Sequence, residues 1–248
     1  MSGNVAPNVV TDGLVLYLDA ANVKSYVSGS TTWGDMCVGG NNGTLQNGPT
    51  FNSENVGSLV LDGVDDYINK SSLTSFDVNS ISIWFKPTST INSSSSNNAL
   101  IQLRRNITAQ GFPDSAYYIT LGAATNQLTN EYITIADLSL PSNKRTGVTD
   151  GGSFIGGSWY NLVINWESTS YAIYINNVKK TTVSSASGHT PKLTNPNLIY
   201  LGALLGDGAV TPIAYFNGSL SIIQIYNKVL SVSEISQNYN AIKKRYGL

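Results

Sequence analysis

The segment Ala214 to Gly247, AYFNGSLSIIQIYNKVLSVSEISQNYNAIKKRYG, constrains the fold more than any other, because it joins a buried strand to a sharply punctuated helix. Between Ser219 and Tyr226 the apolar residues Leu220, Ile222, Ile223, Ile225 and Tyr226 come so densely that the segment is expected to run inside a sheet, covered on both faces. Asn227 and Lys228 end it. Ser231 then stands three residues before Glu234, the spacing of a capping box in which each side chain satisfies the other's free backbone N–H, and Leu230 is placed to staple onto Ile235. Ile235, Tyr239, Ile242 and Tyr246 follow at intervals of four, three and four, a single apolar stripe with which the helix docks on the sheet. Lys243, Lys244 and Arg245 suit the negative end of the helix, and Gly247 can terminate it.

The remainder reads as strands. Gly13 to Asp19 is too apolar and β-branched for a loop. Ser28 to Ser53 is a Gly-, Asn- and Thr-rich connection with turn pairs at Asn42-Gly43 and Asn47-Gly48, anchored by Trp33, Leu45 and Phe51 as buried pegs. Strand signal returns at Ser58 to Leu61, breaks at Asp62-Gly63 and resumes at Tyr67-Ile68. Ser80 to Lys86 alternates, with Ile81, Ile83 and Phe85 on one face and Ser82, Trp84 and Lys86 on the other, which predicts a half-exposed strand stopped by Pro87. Thr88 to Asn98 has the composition of a solvated, flexible loop. Further strands are expected at Ala99 to Leu103, Tyr117 to Leu121, Tyr132 to Ala136, Tyr160 to Asn165, Tyr171 to Asn176 and Leu198 to Leu201. One helix and no strand–helix alternation exclude an α/β architecture and leave an all-β jelly-roll sandwich of two antiparallel sheets. Residues 1–12 are expected to be an extension and 13–248 a single domain, since nothing resembling a linker divides the chain.

Composition narrows the function. Charged residues make up 12% of the chain, against a usual figure of about 25%. A net charge of −1 with scattered Lys and Arg gives no basic stripe to follow a phosphate backbone, so nucleic acid is not an expected partner. Cys37 is the only cysteine, which rules out an internal disulfide; its neighbours Met36 and Val38 suggest a buried small hydrophobe rather than a reactive thiol. The N-terminus shows no basic region followed by an apolar run, so no signal peptide is expected, and no segment has the length of a membrane span.

Four stretches in this order resemble the laminin-G-like, concanavalin A-like lectin/glucanase superfamily: LDGVDDYI at Leu61 to Ile68, SISIWFKP at Ser80 to Pro87, WYNLVINWESTSYAIYINNV at Trp159 to Val178, and the closing strand and helix. In the third, Asn177 stands where the family usually has Gly. The opening GLVLYLDAANVKSY, the middle NNGTLQNGPTF and the tail QNYNAIKKRYGL are similar to free-standing laminin-G-like proteins of tailed phages and large viruses. That resemblance implies a concanavalin A-like jelly roll and a virion component, made in a host cytoplasm and exposed on the particle, with other virion proteins as partners.

The best functional constellation is Asp62, Asp65 and Asp66, three hard oxygen donors bunched on one turn, which suits Ca²⁺. The resemblance also implies calcium near this turn, although Ser221 and Ile222 occupy the positions where the family commonly has acidic residues. Without that acidic counterpart the reading of the three aspartates as turn formers, bonding nearby backbone N–H groups, is preferred to the metal site. Catalysis finds no support: the superfamily's glucanases carry Glu-x-Asp-x-(x)-Glu on one strand, whereas here Glu54, Glu131, Glu167 and Glu234 are scattered. Glu131 and Asp137 could share a strand face, and His189, the only histidine, sits in a loop without a nucleophile partner. Glycan binding needs exposed aromatics and amides; the aromatic candidates are Trp84, Trp159, Trp166 and Tyr171, with Tyr117 and Tyr118 beside them, all of which also suit a sandwich core. The expectation is a non-enzymatic virion structural or decoration protein, a homo-oligomer adhering to cell-surface glycans. A soluble lectin-like protein and, last, a glycoside hydrolase are the alternatives.

Overall fold

The computed structural model describes residues 8–95, 98–105, 115–122, 133–137, 144–148, 152–167, 171–184, 193–205 and 211–248. They form two antiparallel sheets packed face to face. One sheet runs, edge to edge, Val178–Lys179, Tyr171–Ile175, Tyr160–Trp166, Ser80–Pro87, Asn217–Tyr226, Ser58–Asp62 and Thr50–Asn52, with Leu14–Asp19 also paired to Asn217–Tyr226. The other runs Thr182–Ser184, Lys144–Val148, Ile133–Asp137, Ser115–Leu121, Asn98–Arg105, Leu198–Leu201, Tyr67–Ser71, Gly43–Gln46 and Thr32–Trp33. Between them lies one core in which Leu16, Leu59, Ile81, Ile83, Phe85, Leu220 and Ile223 of the first sheet meet Ile68, Ile101, Leu103, Ile119 and Leu201 of the second.

Asn217–Tyr226 is the inner strand that its apolar density implies. Ser80–Pro87 flanks one side, while Ser58–Asp62 and Leu14–Asp19 share the other. The register shifts between Leu220 and Ile222. At that irregularity Ser221 donates to the Gly57 carbonyl (2.6 Å) and accepts from the Tyr246 hydroxyl (2.7 Å).

The C-terminal helix, Val232–Ile242, opens with the expected capping box: the Glu234 N–H donates to Ser231 Oγ (3.3 Å) and the Ser231 N–H to Glu234 Oε2 (2.9 Å). It tightens into a 3-10 turn at Lys243–Tyr246, and Gly247 closes it in the left-handed conformation (φ 73°). Ile235, Ile242 and Tyr246 are buried against the sheet, with Tyr239 partly so. Asn238 shares the docked face, where its Oδ1 accepts from the Val10 N–H (2.7 Å) and its amide donates to the Tyr226 hydroxyl (3.0 Å). Residues 8–12 thus pack on the helix, and Gln237 donates to the Asn8 carbonyl.

This helix explains a departure from expectation. Ser80–Pro87 is buried on both faces rather than half-exposed, because Trp84 is roofed by Tyr239 and Tyr246 (ring centroids 5.7 and 4.6 Å away). Alternation in sequence marks two faces but cannot show that a distant element covers one of them. Thr88 to Asn98 differs likewise: Ile91 is buried and exchanges backbone bonds with Phe154 (2.9 and 2.8 Å), fixing the middle of the loop. Trp33, Leu45 and Phe51 do pack against the core, yet their segment holds the short strands Thr32–Trp33, Gly43–Gln46 and Thr50–Asn52. Asn177 fits where glycine is usual because Asn176 (φ 48°) and Asn177 (φ 65°) both take the left-handed conformation a two-residue hairpin demands, which asparagine tolerates.

Candidate functional site

Among the described residues, the outer face of the sheet containing Thr32–Trp33 carries no helix. Residues that alternate with the core there stand in a row across five strands: Thr44, Asn69, Tyr200, Gln102 and Tyr118 are direct cross-strand neighbours. Over this row Leu204–Leu205 pairs with Pro212–Ile213. Leu205 is clasped by the sheet: its N–H donates to Gln102 Oε1 (2.8 Å), and its carbonyl accepts from Arg104 (2.9 Å) and from the Gln102 amide (3.2 Å).

At the end of the row three tyrosines gather. Tyr67 and Tyr200 stack with ring centroids 5.5 Å apart, and Tyr215 tilts against Tyr67 at 6.4 Å. Leu198 and Leu205 pack behind them, while Tyr67 and Tyr215 keep part of their rings in solvent. Burial raises the Tyr67 phenol above its ordinary value, with neighbouring phenols adding to the effect; burial and then Asp65 do the same for Tyr215. Both therefore remain neutral hydrogen-bond donors at neutral pH. Sequence analysis did not single them out; the available signal was Tyr67 standing outward beside the inward Ile68.

Next to the tyrosines is the acidic turn. Asp62 Oδ1 accepts from the Val64, Asp65 and Asp66 N–H groups (2.8, 3.3 and 3.4 Å), the turn-forming role. Those bonds hold its carboxyl below the usual value. Asp66 is the reverse case: burial, and then the charges of Asp62 and Asp65, push its carboxyl up, although the Asp62 N–H bond opposes them. Gly63, at φ 77°, lets the chain pass over Asn217, whose side chain would lie 2.6 Å from any added Cβ. Asn217 in turn lines a pocket of about 290 Å³ walled by Ser89, Thr90, Ser94, Ser95 and Asn98.

One carboxylate oxygen from each of Asp62, Asp65 and Asp66 lies within 4.8 Å of the others. Hard oxygens at that spacing fit calcium chemically, and would leave about half of its six to eight positions to water or ligand. The Asp65 carbonyl is taken by the Asn47 amide (2.7 Å), and Ser221 is engaged with the Gly57 carbonyl and the Tyr246 hydroxyl.

The four foremost aromatic candidates are corrected by their burial. Trp84, Trp159, Trp166 and Tyr171 are 1, 7, 2 and 3% exposed. Trp84 and Trp159 belong to the cluster under the helix; Trp166 and Tyr171 pack edge to face within the core. None offers a face on which a sugar could stack. Tyr118 is half-buried on the open face. The Tyr117 and Asp137 side chains, Glu131 and His189 lie outside the described residues. Cys37 is partly exposed rather than buried, and burial together with Asp35 raises its thiol to about 12, so it is no nucleophile at neutral pH. Among the described residues no helix is long and apolar enough to cross a membrane.

Residues 62–236, from the acidic turn into the helix, match the model of the concanavalin A-like lectin/glucanases superfamily. The chain belongs to this superfamily. Among solved structures, the concanavalin A-like fold here is similar to domain 4 of AbnA, a GH43 extracellular arabinanase from Geobacillus stearothermophilus, solved with arabinotriose. The TM-score is 0.60 at 17% identity, over 92% of this chain and 98% of that one. It is also similar to Trypanosoma rangeli sialidase (TM-score 0.56, 15% identity, 96% of this chain and 34% of that one). The botulinum neurotoxin type G receptor binding domain matches too (0.53, 14%, 92% and 51%). At these identities the likeness establishes the fold alone, and the chain spans about a third of the sialidase. No curated protein matches the sequence.

Proposed function

We propose that this protein is a non-enzymatic carbohydrate-binding module that receives a glycan on Tyr67 and Tyr215, backed by the buried Tyr200, beside the acidic turn. The tyrosine cluster carries the reading. Two half-exposed phenol rings on a clasped, preorganised sheet present apolar faces for sugar C–H groups, and their protonated hydroxyls donate to sugar oxygens. The arabinanase domain that resembles this chain along its whole length was solved with arabinotriose, which supports a saccharide as the ligand class. A hydrolytic role lacks its machinery in sequence, where no paired-acid strand motif occurs. The likeness of the opening, middle and tail segments to phage and viral proteins supports display on a particle, where the module would adhere to host-surface glycans. Calcium at Asp62, Asp65 and Asp66 is an accessory to this reading: it would neutralise the turn and leave positions for sugar hydroxyls.

The deciding experiment is a glycan array followed by calorimetry on the wild type and on a Tyr67→Ala/Tyr215→Ala variant. Removing both rings is expected to weaken binding at least tenfold, about 1.4 kcal/mol. Unchanged binding by the variant would refute the site. Reducing-sugar release from a polysaccharide panel would refute the non-enzymatic reading. Peptide mass spectrometry of purified particles tests the setting, since a stoichiometric signal is expected.

A further inference from the structure

We infer that a second saccharide site, for a neutral sugar, occupies the cleft between residues 26–31 and 45–51. This cleft, of about 480 Å³, opens where the edge strand Thr50–Asn52 of one sheet faces the edge strand Thr32–Trp33 of the other and its neighbour Gly43–Gln46. Its volume falls within the range of small-molecule sites. The partly exposed Phe51 and Leu45 form the floor, and the buried Tyr26 ring backs Phe51 with ring centroids 5.5 Å apart, beside Pro49. The Tyr26 hydroxyl donates to the Ser30 carbonyl (3.1 Å), so its ring is fixed and its polar tip already partnered. The Leu45 N–H donates to the Thr31 carbonyl (2.8 Å), tying the two walls together.

The rim supplies the complementary chemistry. The side chains of Ser28, Thr31 and Thr50 line the cleft, and among the described residues their hydroxyls make no hydrogen bond within the protein. None of the lining residues carries an Asp, Glu, Lys, Arg or His side chain. Gly29 and Gly48 line it at positive φ, and a Cβ built on either meets nothing within 4 Å, so the opening is clear. An aromatic and aliphatic floor beneath free hydroxyls, without charge, matches a neutral pyranose or furanose, which presents an apolar ring face and a polar edge. A carboxylated or sulfated sugar would find no cation in the lining. This inference does not depend on the tyrosine site, although the two adjoin: Asn47 lines the cleft while its amide holds the Asp65 carbonyl.

The test is amide chemical-shift mapping of isotope-labelled protein during titration with xylotriose, with maltotriose and, as a charged control, with a sialylated trisaccharide. Sugar is taken to roughly ten times a millimolar Kd. Shifts at Gly29, Gly48 and Thr50 are expected for at least one neutral trisaccharide and none for the charged one. Thr50→Trp, at an exposed edge position, fills the cleft and is expected to weaken those shifts at least tenfold at an unchanged melting temperature. Phe51→Leu, which removes the ring, gives the second variant should the tryptophan perturb the edge strand. The cleft is overturned by shifts confined to Gly63, Asp65 and Tyr215, by shifts that survive both variants, or by silence with every sugar. Shifts confined to Gly29, Gly48 and Thr50 would instead uphold the cleft and remove the tyrosine site.

Discussion

Val56 holds a backbone conformation that β-branched residues rarely adopt. It lies at φ 75°, between Asn55 at φ 54° and Gly57 at φ 145°, and its side chain is exposed. What holds it is its neighbour: Asn55 accepts from the Trp159 indole N–H (3.0 Å) and donates to the Arg245 carbonyl (3.2 Å). Val56→Asn keeps that frame and substitutes a residue tolerant of the left-handed region. It is expected to raise stability by about 1 kcal/mol, read as a rise of about 2–4 °C in melting temperature. Asp66 gives a pH-dependent counterpart. Its carboxyl is raised in the folded protein, so the fold holds that proton more tightly than the unfolded chain does. The resulting stabilisation is present below the ordinary value of 3.8 and is lost as pH rises through the folded value. Asp66→Asn is therefore expected to be more stable than wild type at pH 7, by less than about 1 kcal/mol as for partly solvated charges. The difference should close as pH falls below 3.8. Asp62, with its carboxyl held down, contributes the opposite sign and favours folding above that pH. If calcium binds the turn, adding it should raise the melting temperature of wild type more than that of Asp66→Asn; equal responses would remove calcium from the account.

At the scale of elements, the cap on the C-terminal helix offers the cleanest test. Ser231→Ala removes the acceptor for the Glu234 N–H and is expected to cost about 1 kcal/mol, measurable by urea titration with an unchanged m-value. Glu234 is held below its ordinary value, first by Lys228 and then by the Ser231 backbone bond. This part of the cap should fade as pH falls through the folded value. The capping box was legible in sequence because it is complete within four residues, and the inner strand because its apolar density is local. The tyrosine cluster was not, since Tyr67 and Tyr200 meet only through pairing between strands distant in the chain, and Tyr215 joins them from the connection before Asn217–Tyr226. Trp84 and Trp159 misled for a related reason. Trp84 stands on a strand and Trp159 just before one, but only the docked helix decides that they are covered. The acidic turn was legible as a cluster, and the structure adds how its members differ: Asp62 is bonded to the backbone and Asp66 is buried.

For the whole molecule, the two sheets have unequal outer faces. One is sealed by the helix and residues 8–12, through Tyr226, Leu230, Ile235, Ile242 and Tyr246. The other leaves Tyr67 and Tyr215 partly in solvent, with the acidic turn beside them. Both Asn8 and Leu248 lie with the helix, so a tether at Leu248 would point the tyrosine face away from whatever holds it. That polarity suits a module arrayed on a surface, where weak single contacts sum. A trimerising segment fused after Leu248 through a flexible linker is accordingly expected to strengthen binding to a dense glycan surface by 10²–10⁴-fold over the monomer. Affinity for the free sugar, measured by calorimetry, should stay unchanged. A trimer carrying Tyr67→Ala/Tyr215→Ala should lose most of the gain. Equal retention of monomer and trimer on that surface would mean that the open face is not where the glycan binds, or that it cannot be reached when the helix side is tethered. The same trimer fused before Asn8, also on the helix side, separates these outcomes: a gain there indicts the tether, and none indicts the face.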